Sequence, residues 1–154
     1  MTTIDNVIGE TSGRSRVVLD YSQTMSRLVK KAKDPGFSVD SWAPLVELIA
    51  VEGFVRIGPF KEVMNWDEYA AFLTNWAVSA DWDCSFQRIT ETADLVFLEL
   101  EERSCMGDFN SVVNTVSVYE FNADDKLRRI AVYLQMELPN TVSVPNFESA
   151  GAAE

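Results

Sequence analysis

A chain of 154 residues, 47% of them hydrophobic, is long enough to bury one sizeable core and too apolar to stay unfolded as a whole. Its 13 Lys and Arg stand against 24 Asp and Glu. The resulting formal net charge of −11 repels nucleic-acid phosphates and anionic bilayers, so neither a nucleic-acid nor a membrane partner is expected. Histidine is absent, which excludes Ser-His-Asp and Cys-His nucleophile systems and every other mechanism built on an imidazole.

Residues 1–14, with Thr, Ser, Gly and Asp, read as a flexible arm. Met1 to Arg16 has no apolar leader run, and Trp42 to Val55, the most apolar stretch, is broken by Glu47 and Glu52, so a cytoplasmic location is expected. The stripe Val18, Tyr21, Met25, Leu28 and Ala32 predicts a helix over about 15–33, stopped by Asp34-Pro35-Gly36. A second helix starts near Asp40 or Ser41, where Pro44 is tolerated in the first turn, and buries Trp42, Leu45, Leu48 and Ile49. Val51 to Ile57 reads as a strand ended by Gly58-Pro59. Asn65-Trp66-Asp67-Glu68 has the form of a capping box, and the helix it starts runs to about Ala80 with Trp66, Tyr69, Phe72, Leu73 and Trp76 facing inward.

Four strands follow at roughly 82–92, 94–106, 111–122 and 126–137. Helices first and long strands last give the order ααβαββββ, an α+β domain over 15–138. The tail, 139–154, contains two prolines, and its end is expected to be disordered, although Val142, Val144 and Phe147 can lie over a neighbouring surface. Cys84 and Cys105 fall on different strands and are expected as buried free thiols; ligands so dispersed give no expectation of a metal. Neither common type of Gly-rich phosphate loop occurs, so no nucleotide cofactor is expected.

The closing segment Val118-Tyr119-Glu120-Phe121, the turn Asn122 to Lys126 and the strand Leu127 to Gln135 form an aromatic-x-aromatic hairpin. With Leu48-Ile49-Ala50-Val51-Glu52 leading into the first strand and Asp67-Glu68-Tyr69…Phe72 opening a helix, this pattern resembles the nuclear transport factor 2-like superfamily, in its SnoaL-like and ketosteroid-isomerase-like branch. The resemblance implies a cystatin-like cone: a curved, mostly antiparallel sheet wrapped around three helices. It also implies a small apolar ligand in the cone and a homodimer formed through the outer sheet face. Isomerases, polyketide cyclases, dehydratases and epoxide hydrolases share this architecture.

Most residues of those chemistries are missing. Isomerases of this kind carry a catalytic Asp just before a proline at the end of the first strand, where this chain reads Arg56-Ile57-Gly58-Pro59. Their hydrogen-bonding acid corresponds to Ser117, and their helix-one tyrosine to Tyr21. The Asp of limonene epoxide hydrolase-like members is replaced by Val132, and the histidines of scytalone dehydratase-like members have no counterpart.

What remains is a set of candidates. Alternation along Asp94 to Arg103 puts Phe97, Glu99, Glu101 and Arg103 on one face and Val96, Leu98 and Leu100 on the other. If the first face lines the cone, Glu99 is a desolvated carboxylate suited to proton transfer; if it faces outward, Glu99 is a surface or interface group. Glu99 as base, with Tyr21 and Tyr119 as hydrogen-bond donors, is the catalytic set. Arg56 and Arg88 are candidates to balance a pocket carboxylate or bind an acidic ligand, or else to form a surface or interface ion pair. Trp42 and Trp76 serve as core packing or as an aromatic wall. Ser117 and the inward parity Ile130, Val132 and Leu134 complete the expected ligand site. The function expected is binding or metal-free transformation of a cyclic or aromatic apolar metabolite. The alternative is a binding or interaction module without chemistry.

Overall fold

The structure is a computed structural model that describes residues 1–139, so the expectation for Val142, Val144 and Phe147 lies outside the described residues. It is α+β, as expected. Four helices, α1 (Ile4–Val7), α2 (Gly13–Lys31), α3 (Ala43–Val46) and α4 (Trp66–Ala77), pack on one six-stranded sheet. The strands are β1 (Val55–Ile57), β2 (Val63–Met64), β3 (Ala80–Glu91), β4 (Leu95–Met106), β5 (Phe109–Phe121) and β6 (Leu127–Met136), in the spatial order β2-β1-β6-β5-β4-β3. Only β1 and β6 pair in parallel; the other neighbours are antiparallel. Register shifts between Phe86 and Arg88 and between Glu120 and Phe121 place bulges in the long strands, which bend the sheet around the helices.

Helix α2 lies in the concavity. Val18, Leu19, Tyr21, Met25, Leu28 and Val29 are all buried, which is the predicted stripe widened by its immediate neighbours. Its N-terminus is closed from across the fold. The backbone N and Oγ of Ser15 donate to Glu91 Oε1 at 2.9 and 2.7 Å, and the carboxylate also complements the helix dipole. Beyond its C-terminus, Lys33 Nζ donates to the carbonyls of Val29 and Ala77 at 2.9 and 2.8 Å and to that of Ala80. One ammonium thus ties together α2, α4 and the start of β3. The predicted capping box of α4 forms: Glu68 N donates to Asn65 Oδ1 at 2.9 Å, and Asn65 N donates to Glu68 Oε1 at 3.2 Å.

Three local expectations change. Residues 1–14 are not a free arm: Ile4 is buried, Phe86 N donates to Thr2 O at 2.7 Å, and Arg14 pairs with Asp125 at 2.9 Å. The expected strand from Val51 shrinks to β1, because Val51 to Phe54 turns through Gly53, whose φ of 79° an L side chain rarely adopts. The turn after β1 then returns as β2, a two-residue strand too short to be heard in the sequence.

The face of β4 is the change that matters for function. Val96, Leu98 and Leu100 are buried against the helices, so Phe97, Glu99, Glu101 and Arg103 point to the outer face. Burying three aliphatic side chains instead of two glutamates and an arginine is the cheaper choice for the chain. Buried in the core, Val96, Leu98 and Leu100 cannot contribute to an interface through the outer sheet face.

Candidate functional site

The helices leave the wide end of the cone unfilled. A cavity of about 270 Å³ lies between α2, α4 and the inner faces of β4, β5 and β6. Its size is just under the roughly 300–1,000 Å³ common for drug-sized ligands, so the occupant it fits is small. Sheet register explains the lining. Leu98, Ser117 and Val132 stand side by side across three strands; the next inward row is Leu100, Thr115 and Leu134; the one after holds Glu102 and Val113. Deep in the cone the rows are closed by aliphatic packing. Toward the β4–β5 turn at Gly107 they become polar, with Glu102 and Ser104 on the cavity wall.

Three tyrosines gather on one side. Tyr21 Oη and Tyr69 Oη are 3.1 Å apart, and the Tyr21 and Tyr119 rings meet edge to face with centroids 6.0 Å apart. Tyr69 is braced by Phe54, with centroids 6.3 Å apart, and by Trp66, at 6.0 Å. Burial, reinforced by the neighbouring phenols, pushes the Tyr21 hydroxyl well above its ordinary value. Burial also raises Tyr119, with Tyr69 adding to the effect and the Ser22 and Ser117 hydroxyls opposing it. Both phenols therefore keep their protons across the neutral range and are available as hydrogen-bond donors. Opposite polar character comes from Glu102, a half-buried carboxylate that accepts a 2.9 Å hydrogen bond from Trp82 Nε1. Thr115 Oγ1 is buried in the cavity wall with no protein partner among the described residues.

Of the residues singled out from sequence, Tyr21, Tyr119, Arg56, Trp76, Ser117, Ile130, Val132 and Leu134 do meet around this cavity. Three do not. Glu99 lies on the outer face, in a shallow depression with Val116 and Tyr133, and pairs with Arg88, whose Nη2 donates to Oε1 at 2.8 Å. The hydrogen bond from Arg88 holds the Glu99 carboxyl below its usual range, opposite to the shift a desolvated general base requires. Arg88 is 70% exposed and leaves with it. Trp42 is fully buried in the core, its Nε1 donating to Thr74 Oγ1 at 2.9 Å, because the second helix collapses to a 3₁₀ turn over Val39–Trp42 and the four residues of α3, pressing the indole onto α4.

Glu102, Tyr69 and Trp82 are among the lining residues that sequence reasoning missed, as are Ser104 and Thr115. The signal for Glu102 was present: the apolar parity of Val96, Leu98 and Leu100 continues to it after one further step of two. Tyr69 stood on the inward stripe of α4, where it read as core.

No family model matches the chain, and no curated protein matches it in sequence. Its shape does have counterparts among solved structures. A nuclear transport factor 2-like protein of unknown function from Cytophaga hutchinsonii is similar with a TM-score of 0.57 at 10% identity, over 81% of this chain and 92% of that one. A protein assigned as a SnoaL-like polyketide cyclase from Shewanella putrefaciens reaches a TM-score of 0.63 at 6% identity, over 80% and 90%. An epoxide hydrolase of the limonene epoxide hydrolase-like type from M. tuberculosis gives 0.54 at 12% identity, over 73% and 84%. At these identities the likeness speaks for the fold: the chain has the nuclear transport factor 2-like fold.

Proposed function

We propose that the cone binds a cyclic or aromatic apolar metabolite and moves a proton on it using protein side chains alone. Glu102 is the acceptor, and Tyr21 or Tyr119 the hydrogen-bond donor. The observation that carries this reading is the Glu102 carboxylate on the cavity wall, one oxygen oriented by the Trp82 indole, in a cavity that also presents buried phenols. It takes over the role expected of Glu99. In the proposed step Glu102 removes a proton from a carbon next to a ligand carbonyl. The electron pair moves onto the carbonyl oxygen, which a tyrosine hydroxyl stabilises by hydrogen bonding without giving up its proton. On a β,γ-unsaturated ketone, return of the proton from Glu102 to the γ carbon completes an isomerisation; on a β-hydroxy ketone, the hydroxyl takes up that proton from Glu102 and leaves as water, completing a dehydration. The names of two fold neighbours, a polyketide cyclase and an epoxide hydrolase, agree with a small organic substrate.

Deuterium exchange tests it without the natural substrate. Wild type should accelerate exchange at C2 of 1-tetralone in D₂O, followed by NMR, and Glu102→Gln should return the rate to background. Binding of the ketone with no exchange in wild type supports the second reading, a binding module without chemistry. Gly58 and Ser117 favour that second reading, since they stand where related isomerases carry their acids.

The outer sheet face carries exposed Val112 and Tyr133 beside half-buried Val116, an arrangement suited to pairing with a second copy of the chain. Sedimentation at micromolar concentration should give a dimer. Tyr133→Glu should shift it to a monomer.

A further inference from the structure

We infer that Arg56 is an anion receptor built into the cavity wall, so that the molecule the cone takes is an aromatic or alicyclic acid held by its acidic group. This inference rests on the reading of the cone as a ligand site.

Arg56 is the central residue of β1, paired with Ile130 on one side and Met64 on the other. The pairing turns its side chain into the cavity, where it is only 13% exposed. A guanidinium carries five N–H donors. Among the described residues none of them makes a hydrogen bond, and Nε is fully buried without a partner. The guanidinium carbon sits over the Tyr69 ring at 4.9 Å and near that of Phe72 at 5.9 Å. Those contacts hold the plane of the group and satisfy none of its donors. A buried charge with idle donors is costly unless a partner arrives, and a flat donor fork fits a carboxylate through two parallel bonds.

Among the described residues the anion paired with it is Glu62, at 3.5 Å from Arg56 Nη1, too long for a charge-assisted hydrogen bond. Glu62 is committed elsewhere: its Oε2 accepts from Phe60 N at 2.9 Å, and its carbonyl accepts from Gly58 N at the same distance. The loop is shaped around this approach. A Cβ on Gly58 would stand 1.6 Å from Glu62 Oε1 and 2.8 Å from Arg56 Nη1, so any side chain here would push the Glu62 carboxylate away from its present place beside the guanidinium. Glu62 thus orients the guanidinium from the loop side and leaves its remaining donors toward the cavity. In a chain of net charge −11, a cation on the wall of a cavity whose other charged lining group is Glu102 is a selective feature rather than part of a general attraction for anions.

The test uses the full chain and two probes of one shape, 2-naphthoate and the neutral 2-naphthamide, titrated by quenching of tryptophan fluorescence; Trp76 and Trp82 line the cavity. Wild type should bind the acid roughly 10-fold or more tighter than the amide, the scale of a charge-assisted fork. Arg56→Met should erase that preference, bringing the ratio of acid to amide affinity to about one. Arg56→Lys, which keeps the charge and loses the fork, should retain only part of it. Circular dichroism and melting check that the variants fold; if Arg56→Met does not, Arg56→Lys still tests the fork, and a wild type without acid preference overturns the receptor with no variant needed. Amide binding without acid preference in wild type, or an acid preference that survives Arg56→Met, overturns the receptor and leaves the ligand site standing. Binding of neither probe overturns both.

Discussion

Leu98→Ala and Glu99→Gln are neighbours in sequence and should behave as if they belonged to different proteins. Leu98 is completely buried between the sheet and the helices. Truncation to alanine removes about three carbons, worth roughly 2.4 kcal/mol at ~0.8 kcal/mol per buried methylene. A cavity that cannot collapse inside a curved sheet adds to this, giving about 3–4 kcal/mol in all. For a chain of this size that lowers Tm by roughly 6–16 °C. Glu99 points the other way, toward an Arg88 side chain that is 70% exposed, and Glu99→Gln should leave the melt unchanged within error. Differential scanning calorimetry on the two variants decides between the faces of β4. A Leu98→Ala melt within a degree or two of wild type, or a Glu99→Gln melt that collapses, would falsify the assignment of the charged face to the outside.

Lys33→Met removes the ammonium that serves the carbonyls of Val29, Ala77 and Ala80, and urea denaturation should show a loss of about 2–3 kcal/mol. Glu91→Ala uncaps α2 at Ser15 and should cost about 1 kcal/mol in the same assay, with Glu91→Gln recovering part of it. Burial pushes the Cys84 thiol up to about 12 from an ordinary value of 9.0. The unfolded chain therefore ionises this thiol first. The neutral folded form is at no disadvantage below pH 9, and stability falls as pH rises from there toward 12. Urea midpoints of Cys84→Ala should fall less steeply than those of wild type above pH 9, and equal slopes would remove Cys84 as the cause.

How much of this was legible in the sequence depends on the length of the signal. The helical stripe of α2, the capping box of α4 and the four long strands were readable because each repeats its pattern over several turns or steps. The family resemblance that the aromatic-x-aromatic hairpin helps to carry then put Ile130, Val132 and Leu134 on the inner face. Short elements were not readable: β2 has two residues, and the Val51 to Phe54 turn hides in an apolar run whose only marker is Gly53. Glu99 and Glu102 show a different limit. Alternation says which residues share a face and leaves open which face is inside. That choice follows from the relative cost of burying Val96, Leu98 and Leu100 against burying the charges beside them, and the same parity then carries Glu102 into the cavity. The Tyr21–Tyr69 hydroxyl pair joins residues 48 positions apart on two helices, and no local pattern announces it.

The cone as a ligand site is tested most directly by the four tryptophan indole N–H signals in a nitrogen–proton correlation spectrum, assigned by single Trp→Phe variants. Trp76 and Trp82 line the cavity, whereas Trp42 is sealed in the core on Thr74. Titration with 1-tetralone should shift the Trp76 and Trp82 signals saturably and leave Trp42 in place. Glu102→Gln should move the Trp82 signal even without ligand, because the acceptor of its 2.9 Å hydrogen bond changes from a carboxylate to an amide. A titration that leaves Trp76 and Trp82 unmoved would contradict the account, as would one that moves Trp42 as far as they move.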